Sequence, residues 1–406
     1  MVALSTFDLG DGVFRSDPFP SWARLRDAGP LHRDVSGAWV VVRYREVDRL
    51  LHDERLGKDL RRLANYAEDR PDGPESAMER CVEQWIECRL PSVHRNWRRL
   101  VIPGFTAKAV ERLRPTLERC AADLLATSPA GGSFELMGHF ARPFPVVAIA
   151  QVLGLGSLGT ENLALWSQAI GAQLEPNGDI AAQQAGEAAL DDLTRRLWDE
   201  MEARRRHPRD DLLTGLVVGN SGFLTAGQLV ATALLLFLSG NDTVASLIAN
   251  GLLALSAAPE QAAALRAHPR LMPSAVEEML RYDGPACIVP RAVYEPVTID
   301  GTTIPPGSLV LLALGAANRD PTVFPEPDRF LAHRRPNRHL AFGSGDHHCV
   351  GVALARLETV TAIRALLDRF PGLTCDPSSV RWGDARYLRG PLEVMASDAP
   401  RVGGHR

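Results

Sequence analysis

The sequence predicts a mainly α-helical fold with small β-sheets in one continuous domain. Three observations support this prediction: a long apolar helix in the middle of the chain, further helical patterns from Glu83 onward, and short β signals between the helices. No internal repeat, low-complexity tract or obvious linker divides the 406 residues. We therefore expect one domain over residues 1–406, with a short flexible tail at about 397–406.

The elements of the first half begin with a valine-rich β signal from Trp39 to Tyr44. The central helix is predicted to begin after Thr225, whose spacing to Gln228 is that of a capping box. Its apolar residues continue through Leu255 and cover nearly every side. Such a helix is typical of the centre of a large fold.

In the second half, Ser274 and Glu277 have the spacing of another capping box, which predicts a helix over Ala275–Tyr282. Residues 321–336 contain too much proline and aspartate for regular structure. A last long helix is predicted over Val350–Phe370, where a Pro-Gly pair stops it. Between these segments lie three short β signals, at Val297–Gly301, Thr303–Gly307 and Ser308–Leu314.

Charge and composition exclude several functional classes. The 45 basic and 49 acidic residues give a net charge of −4, which argues against a nucleic-acid binder. The N-terminus lacks the pattern of a signal peptide, and the apolar stretch Leu229–Leu255 is interrupted by Asn241 and Asp242, which a membrane span tolerates poorly. Six scattered cysteines without a CxxC pair favour a reducing compartment. We expect a cytoplasmic protein that binds neither nucleic acid nor membrane.

The most informative segment is residues 339–356, in which Cys349 ends a loop and precedes a helix. Gly343, Gly345 and Gly351 flank this cysteine, whereas a buried core thiol would need no such neighbours. Glycines let backbone N–H groups turn toward the sulfur, and a helix N-terminus favours negative charge there. A thiolate would be stabilised and held rigidly, which suits a metal ligand.

This segment resembles the haem-binding signature of the cytochrome P450 family, Phe-Gly-x-Gly-x-His-x-Cys-x-Gly-x-x-Leu-Ala-Arg, at every fixed position. The resemblance implies that Cys349 is the axial ligand of the iron in haem b, and that Phe342, Gly343 and Gly351 lie against the cofactor. A rival interpretation takes Asp346–Cys349 as the Asp-His-His-Cys motif of protein palmitoyltransferases. Those enzymes span membranes and bind zinc through clustered cysteines, which this sequence does not offer.

The resemblance extends over essentially the whole chain. It implies a single, triangular, mainly α P450 domain with small sheets on one side, and haem between the central helix and the helix after the cysteine loop. Glu278 and Arg281 resemble the family's Glu-x-x-Arg pair, which is buried and braces the core beside haem. Either Arg329 or Arg334 would complete this network of charges.

Within the central helix, Ser239–Val244 resembles the family's oxygen-activation motif. An acid and an alcohol are costly in an apolar helix unless they are used. The resemblance implies that Asp242 relays protons and that Thr243 donates a hydrogen bond on the oxygen-binding side, beside a break in the helix. Ser239 and Val244 depart from the commoner residues of the motif, but the acid–alcohol pair is intact.

Haem carries two propionates, so cations should face it. His94 and Arg98 share one helix face at i, i+4 spacing and resemble the family's propionate-binding pair. Arg291 and His339 match two further propionate-binding positions. The sequence Leu90–Val93 departs from the usual entry to the helix of His94.

The substrate region is less defined by the sequence. We expect contacts from the stretches Asp59–Arg89 and Gly171–Ala188 and from residues near the iron. The individual residues expected in the pocket are Leu235, Ser239, Cys287, Ile288, Val289 and Leu388.

No flavin or iron–sulfur motif occurs in the sequence, so electrons must come from outside. The resemblance implies a supply from NAD(P)H through a reductase and a ferredoxin or flavodoxin. An acidic partner would dock on the face over Cys349. The arginines expected on that face are Arg99, Arg335, Arg338 and Arg356.

The function implied is that of a monooxygenase that uses O2 to oxidise, most simply to hydroxylate, a small organic substrate in bacterial secondary metabolism. Oxidative coupling or ring closure without oxygen insertion is an alternative, and Asp242 and Thr243 do not separate the two. A peroxide-driven enzyme could dispense with that pair. A non-catalytic haem protein or sensor would not need the proton-relay residues.

Overall fold

The computed structural model describes residues 6–66, 76–85, 91–128, 132–173 and 180–398. Its helices are α1 Gly12–Ser16, α2 Phe19–Ala28, α3 Tyr44–Leu51, α4 Ala77–Glu83, α5 Pro91–Val101, α6 Ala107–Glu111, α7 Arg114–Ala126, α8 Pro143–Leu153, α9 Thr160–Gln173, α10 Ile180–Arg206, α11 Leu212–Gly219, α12 Ala226–Ala257, α13 Pro259–Ala267, α14 Met272–Asp283, α15 Leu314–Ala317 and α16 Val352–Arg369. Its strands are β1 Thr6–Phe7, β2 Leu31–Asp34, β3 Trp39–Val41, β4 Leu56–Gly57, β5 Ser133–Glu135, β6 Val289–Val293, β7 Val297–Ile299, β8 Thr302–Ile304, β9 Leu309–Leu312, β10 Leu373–Cys375, β11 Arg381–Trp382, β12 Pro391–Glu393 and β13 Met395–Asp398. This mainly α architecture with small sheets agrees with the prediction.

The strands form small sheets at the edge of the helical body. The largest has the order β1-β2-β3-β9-β6-β4, with β3 parallel to β9 and β9 antiparallel to β6. A second sheet has the order β10-β13-β5, and β7-β8 and β11-β12 are two-stranded. Ser397 pairs with Thr374 and Asp398 with Leu373, so strand pairing continues to residue 398. Residues 399–406 lie outside the described part of the chain.

Helix α12 runs through the largest hydrophobic cluster and packs against α8, α14 and α16. The capping box is confirmed, because the Thr225 side chain accepts from the Gln228 N–H and the Gln228 side chain accepts from the Thr225 N–H. By length and composition α12 could cross a membrane, but 67% of its most apolar window is buried inside the protein. The helix is continuous through Ser239–Val244, so the expected break is absent.

Two predicted boundaries differ from the structure by three residues. The strand that begins at Trp39 ends at Val41, because the chain turns into α3 at Tyr44. Helix α14 begins at Met272 with a proline in its first turn, where the fixed φ of proline fits a helix start. Ser274 therefore lies inside the helix and is not its cap.

The regions after α14 follow the predictions more closely. Short strands occupy Val297–Ile299, Thr302–Ile304 and Leu309–Leu312, and residues 321–336 contain neither helix nor strand. The last long helix is α16, which begins two residues later than predicted because Gly351 is its N-cap.

Candidate active site

The cysteine loop presents Cys349 at the start of α16, and this side chain is exposed. The Cys349 N–H donates to the Phe342 carbonyl at 2.9 Å, which closes the loop. Gly343 and Gly345 have φ values of +67° and +69°. A Cβ on Gly345 would also lie 2.7 Å from the Leu51 carbonyl oxygen, so this position excludes a side chain on two grounds. The glycines thus hold the loop in a shape that places the sulfur beside a helix N-terminus.

A cluster of basic side chains surrounds His347 in the same loop. The rings of His94 and His347 are 4.2 Å apart, and His94 is buried on α5. Burial lowers the pKa of His347 to about 2, helped by the charges of Lys58, His94, Arg291 and Arg98. Its Nδ1 atom is buried and has no hydrogen-bond partner among the described residues. Several basic side chains around a buried nitrogen that has no hydrogen-bond partner among the described residues suit an anionic group.

Three of the four cations predicted for the propionates therefore meet at one place, namely His94, Arg98 and Arg291. Neither His347 nor Lys58 was predicted to bind the propionates. For His347 the signal was present, because it is a fixed position of the cysteine-loop signature. Lys58 gave no sequence signal, since only the pairing of β4 with β6 brings this part of the chain next to Arg291.

His339, the fourth predicted cation, belongs to a different group of charges. Its Nε2 lies 3.2 Å from Glu277 Oε2, and the Ala341 N–H donates to its Nδ1 at 3.3 Å. Both ring nitrogens are therefore engaged by the protein. Arg356 donates to both oxygens of Glu277, at 2.7 and 2.6 Å. The binding of a propionate by His339 stays a prediction, and these contacts place His339 in the Glu277 group instead of the group around His347.

Burial alone would raise the pKa of Glu277. The hydrogen bonds and charges of His339 and Arg356 outweigh burial and lower this pKa to about 2. Glu277 is thus a carboxylate that joins α14, α16 and the segment before the cysteine loop.

Glu278 lies at the centre of a fully buried network. Arg281 donates from Nε and Nη2 to its two carboxylate oxygens, both at 2.7 Å, and Arg334 donates from Nε at 2.9 Å. Arg334 thus completes the network, whereas Arg329 contributes its backbone carbonyl, to which both arginines donate. The network joins α14 to the irregular segment 321–336.

The middle of α12 differs in exposure from the rest of this buried helix. Ser239 is exposed, and Asp242 and Thr243 are half-buried. The Thr243 hydroxyl donates to the Ser239 carbonyl at 2.9 Å, so these two residues share one face at i, i+4 spacing. That face of α12 is open, as a ligand-binding side of the helix requires.

On the other side of α12, Asn241 is only 2% exposed and donates from Nδ2 to the Ser167 hydroxyl of α9 at 3.1 Å. Neither Asn241 nor Ser167 was predicted to have a functional role. An asparagine inside an apolar helix is a signal of a polar contact, but its partner on α9 is visible only in the structure.

The residues predicted for the substrate pocket come together only in part. The Cys287 and Ile288 N–H groups donate to the Tyr387 carbonyl at 3.1 and 3.3 Å, and Leu388 pairs with Ala286. This contact brings the segment before β6 next to Leu388, which is 42% exposed.

Ile288 points elsewhere, because it is 2% exposed and belongs to the cluster of Trp22 and Val40. Val289 is half-buried, and Leu235 is buried in the cluster around α12. Burial also raises the pKa of the Cys287 thiol to about 12. The predicted substrate stretches include residues 67–75, 86–89 and 174–179, which lie outside the described residues.

Comparison with known proteins identifies the family. The family model described as Cytochrome P450 matches residues 181–381. Cytochrome P450 107B1 of Saccharopolyspora erythraea is 37% identical and covers 94% of this chain and 95% of its own length. The 6-deoxyerythronolide B hydroxylase of the same organism is 36% identical, with 94% and 96% covered. The solved structure of CxnD, described as a cytochrome P450 enzyme for C–S bond formation in chuangxinmycin biosynthesis, matches with a TM-score of 0.84 at 29% identity over 99% of both chains.

This chain belongs to the cytochrome P450 family. It is an oxidoreductase of the monooxygenase class, and its family implies the use of haem and O2. The family and the fold class predicted from the cysteine loop are thereby confirmed.

Proposed function

We propose that the protein is a haem-thiolate monooxygenase that hydroxylates a small organic molecule in bacterial secondary metabolism. The observation that supports this most strongly is the exposed Cys349 at the start of α16, next to a cluster of basic groups around His347. The name of one close relative, 6-deoxyerythronolide B hydroxylase, favours hydroxylation of a similar class of substrate.

The residues present fit haem b. Cys349 would bind the iron, and His94, Arg98, Arg291 and His347 would face the propionates, whose negative charge suits the basic side chains around His347. The residues that would lie against the porphyrin are Phe342, Gly343 and Gly351. When bound, thiolate-ligated haem supplies the oxidising power for activation of O2.

Two residues of α12 would take part in proton transfer. Asp242 is half-buried and would carry protons from solvent toward the open face of the helix. Thr243 would hold a proton at Oγ1 on that face, and its hydroxyl must first leave the Ser239 carbonyl. Substrate would lie along the same face, against Ser239 and Leu388, with Leu235, Cys287 and Val289 nearby.

Electrons would come from NAD(P)H through a reductase and a ferredoxin or flavodoxin. The basic face of α5 adjoins the cysteine loop, because Arg98 donates to the Asp346 carbonyl and Arg95 lies 3.8 Å from its carboxylate. A concavity of about 510 Å³ opens there and is lined by Arg95, Asn96, Arg98, Arg99 and Ile102. An acidic partner fits this face.

The other arginines predicted for docking differ in their surroundings. Arg335 and Arg338 are exposed, whereas the charge of Arg356 is already balanced by Glu277. Arg99 and its neighbours on α5 are therefore the stronger candidates for steering a partner.

The test is turnover of a panel of macrolactones with NADPH, a surrogate ferredoxin, its reductase and isotopically labelled O2. We expect a product that carries one labelled oxygen, and much less of it from Thr243→Ala. A product that has lost two hydrogens without gaining oxygen would favour oxidative coupling, the kind of chemistry that the description of CxnD suggests. Equal turnover by wild type and Thr243→Ala would contradict the proposed use of O2.

A further inference from the structure

Helix α9 contacts α12 at the acid–alcohol pair. Asn241 donates from its buried Nδ2 to the Ser167 hydroxyl at 3.1 Å. The next residue of α12, Asp242, lies against Gly171, where a Cβ would be 3.3 Å from the Asp242 Oδ2 atom. Ser167 and Gly171 are at i, i+4 spacing and share one face of α9. Two consecutive residues of α12 are therefore held by one stripe of α9.

The bond between Asn241 and Ser167 sets the rotation of α12. A buried amide is costly without a hydrogen bond, so Asn241 is kept toward α9. Each helical residue turns the side-chain direction by about 100°, so Thr243 points about 200° away from Asn241. With Asn241 directed at α9, Thr243 faces the opposite, open side, where Ser239 is exposed.

Gly171 provides the space for the Asp242 carboxylate. A glycine inside a helix is unfavourable relative to alanine, so its presence there has a packing reason. A methyl group at this position would press on Oδ2 at a distance shorter than ordinary contact. The carboxylate would have to shift by a few tenths of an ångström, which changes the position of the acid.

We propose that Ser167 and Gly171 are positioning residues that aim Asp242 and thereby set the efficiency of proton delivery. The inference rests on the proposed role of Asp242 in proton transfer. Neither residue of α9 touches the reacting atoms, and each acts through its neighbour on α12.

The experiment uses the haem-loaded protein with NADPH, a surrogate ferredoxin and its reductase, without organic substrate. Oxygen consumption is measured in H2O and in D2O. We expect Asp242→Asn, Ser167→Ala and Gly171→Ala each to slow consumption about fivefold and to enlarge the solvent isotope effect. Ser167→Thr keeps a hydroxyl and should restore both values.

Two matched controls address general effects on the helices. Leu165→Ala truncates a side chain of α9 that is 63% exposed. Gly215→Ala adds a methyl group to a helical glycine with open space around it. Both should behave as the wild type, and every variant should show the wild-type spectrum of its reduced carbon monoxide complex.

A second measurement does not depend on turnover. In the resting protein, Ser167→Ala and Asn241→Ala should each speed hydrogen exchange of the α9 amides by a similar factor. The double variant should exchange no faster than either single variant. If Asp242→Asn has no effect on oxygen consumption, the proposed role of Asp242 fails. If Asp242→Asn is slow but Ser167→Ala and Gly171→Ala match the controls, the positioning role of α9 alone is overturned.

Discussion

Two of the buried groups of charge among the described residues differ in composition. Around Glu278, two arginines share one carboxylate, and their remaining N–H groups donate to backbone carbonyls. Around His347, burial lowers the pKa of the ring, and the charges of four basic side chains lower it further. The first group pairs its charges in one hydrogen-bonded network, whereas the second brings several basic side chains together.

This difference separates a structural site from a ligand site. A buried charge destabilises a protein unless it is paired and hydrogen-bonded. The Glu278 network meets that requirement and joins α14 to segment 321–336. The His347 group brings basic side chains together beside the cysteine loop, where we propose that the two propionates of haem bind. The following predictions test this distinction, from the largest expected effect to the smallest.

Glu278→Gln should have the largest effect. It leaves Arg281 and Arg334 buried without a counter-charge, which we expect to cost about 3–5 kcal/mol of unfolding free energy. Urea denaturation of the haem-loaded protein measures it. The matched control is Glu326→Gln, which breaks an exposed ion pair with Arg329 and should cost under about 1 kcal/mol. Equal losses in the two variants would show that the buried network contributes no more to stability than an exposed ion pair.

Arg291→Gln should weaken haem binding without destabilising the apoprotein. Loss of one charged hydrogen bond to a propionate should speed haem loss about 10- to 100-fold, measured by transfer to apomyoglobin. The apoprotein should be as stable as wild type or more so, because one of several like charges is removed. Arg369→Gln, at an exposed site on α16, is the control for loss of charge. A destabilised apoprotein with unchanged haem loss would make Arg291 a structural residue.

Glu277 should make stability depend on pH in the acid range. Its folded-state pKa is lowered to about 2, so its contribution is present above its ordinary pKa of 4.5 and is lost as pH falls. Between pH 6 and pH 4 the difference in unfolding free energy between wild type and Glu277→Gln should shrink by roughly 1 kcal/mol. A difference that is constant over this range would mean that His339 and Arg356 do not hold the carboxylate charged.

The smallest effect concerns the exposed arginines. Arg99→Glu should slow reduction by a ferredoxin about twofold or more and weaken its salt dependence, because the charge of Arg99 is available for steering. Arg356→Glu changes a charge that Glu277 already balances, so its effect on that salt dependence should be smaller. Stopped-flow reduction at several salt concentrations compares the two. A larger effect of Arg356→Glu than of Arg99→Glu would place the docking face nearer α16.

Local sequence signals predicted much of the fold and of the site. The capping box at Thr225 and the apolar run after it depend on neighbouring residues, and both are confirmed. The glycines of the cysteine loop are also a local signal, because the positive φ of Gly343 and Gly345 does not depend on a distant residue.

The sequence predicted less well where the structure depends on contacts between residues that are far apart in the chain. Ser274 and Glu277 have the spacing of a capping box, but Glu277 instead binds His339 and Arg356 across three segments. His339 and His347 both precede the cysteine, and only packing shows which of them joins the basic cluster. The choice between Arg329 and Arg334 likewise depended on the path of the irregular segment.

The central claim is that Cys349 binds haem iron as a thiolate. The most direct test is the absorption spectrum of the purified, dithionite-reduced protein under carbon monoxide, compared with Cys349→Ala and with the control Cys287→Ala. We predict a strongly red-shifted Soret band in the wild type and in Cys287→Ala, and its loss in Cys349→Ala. A red-shifted band that persists without Cys349, or a wild-type protein that binds no haem, would contradict the account.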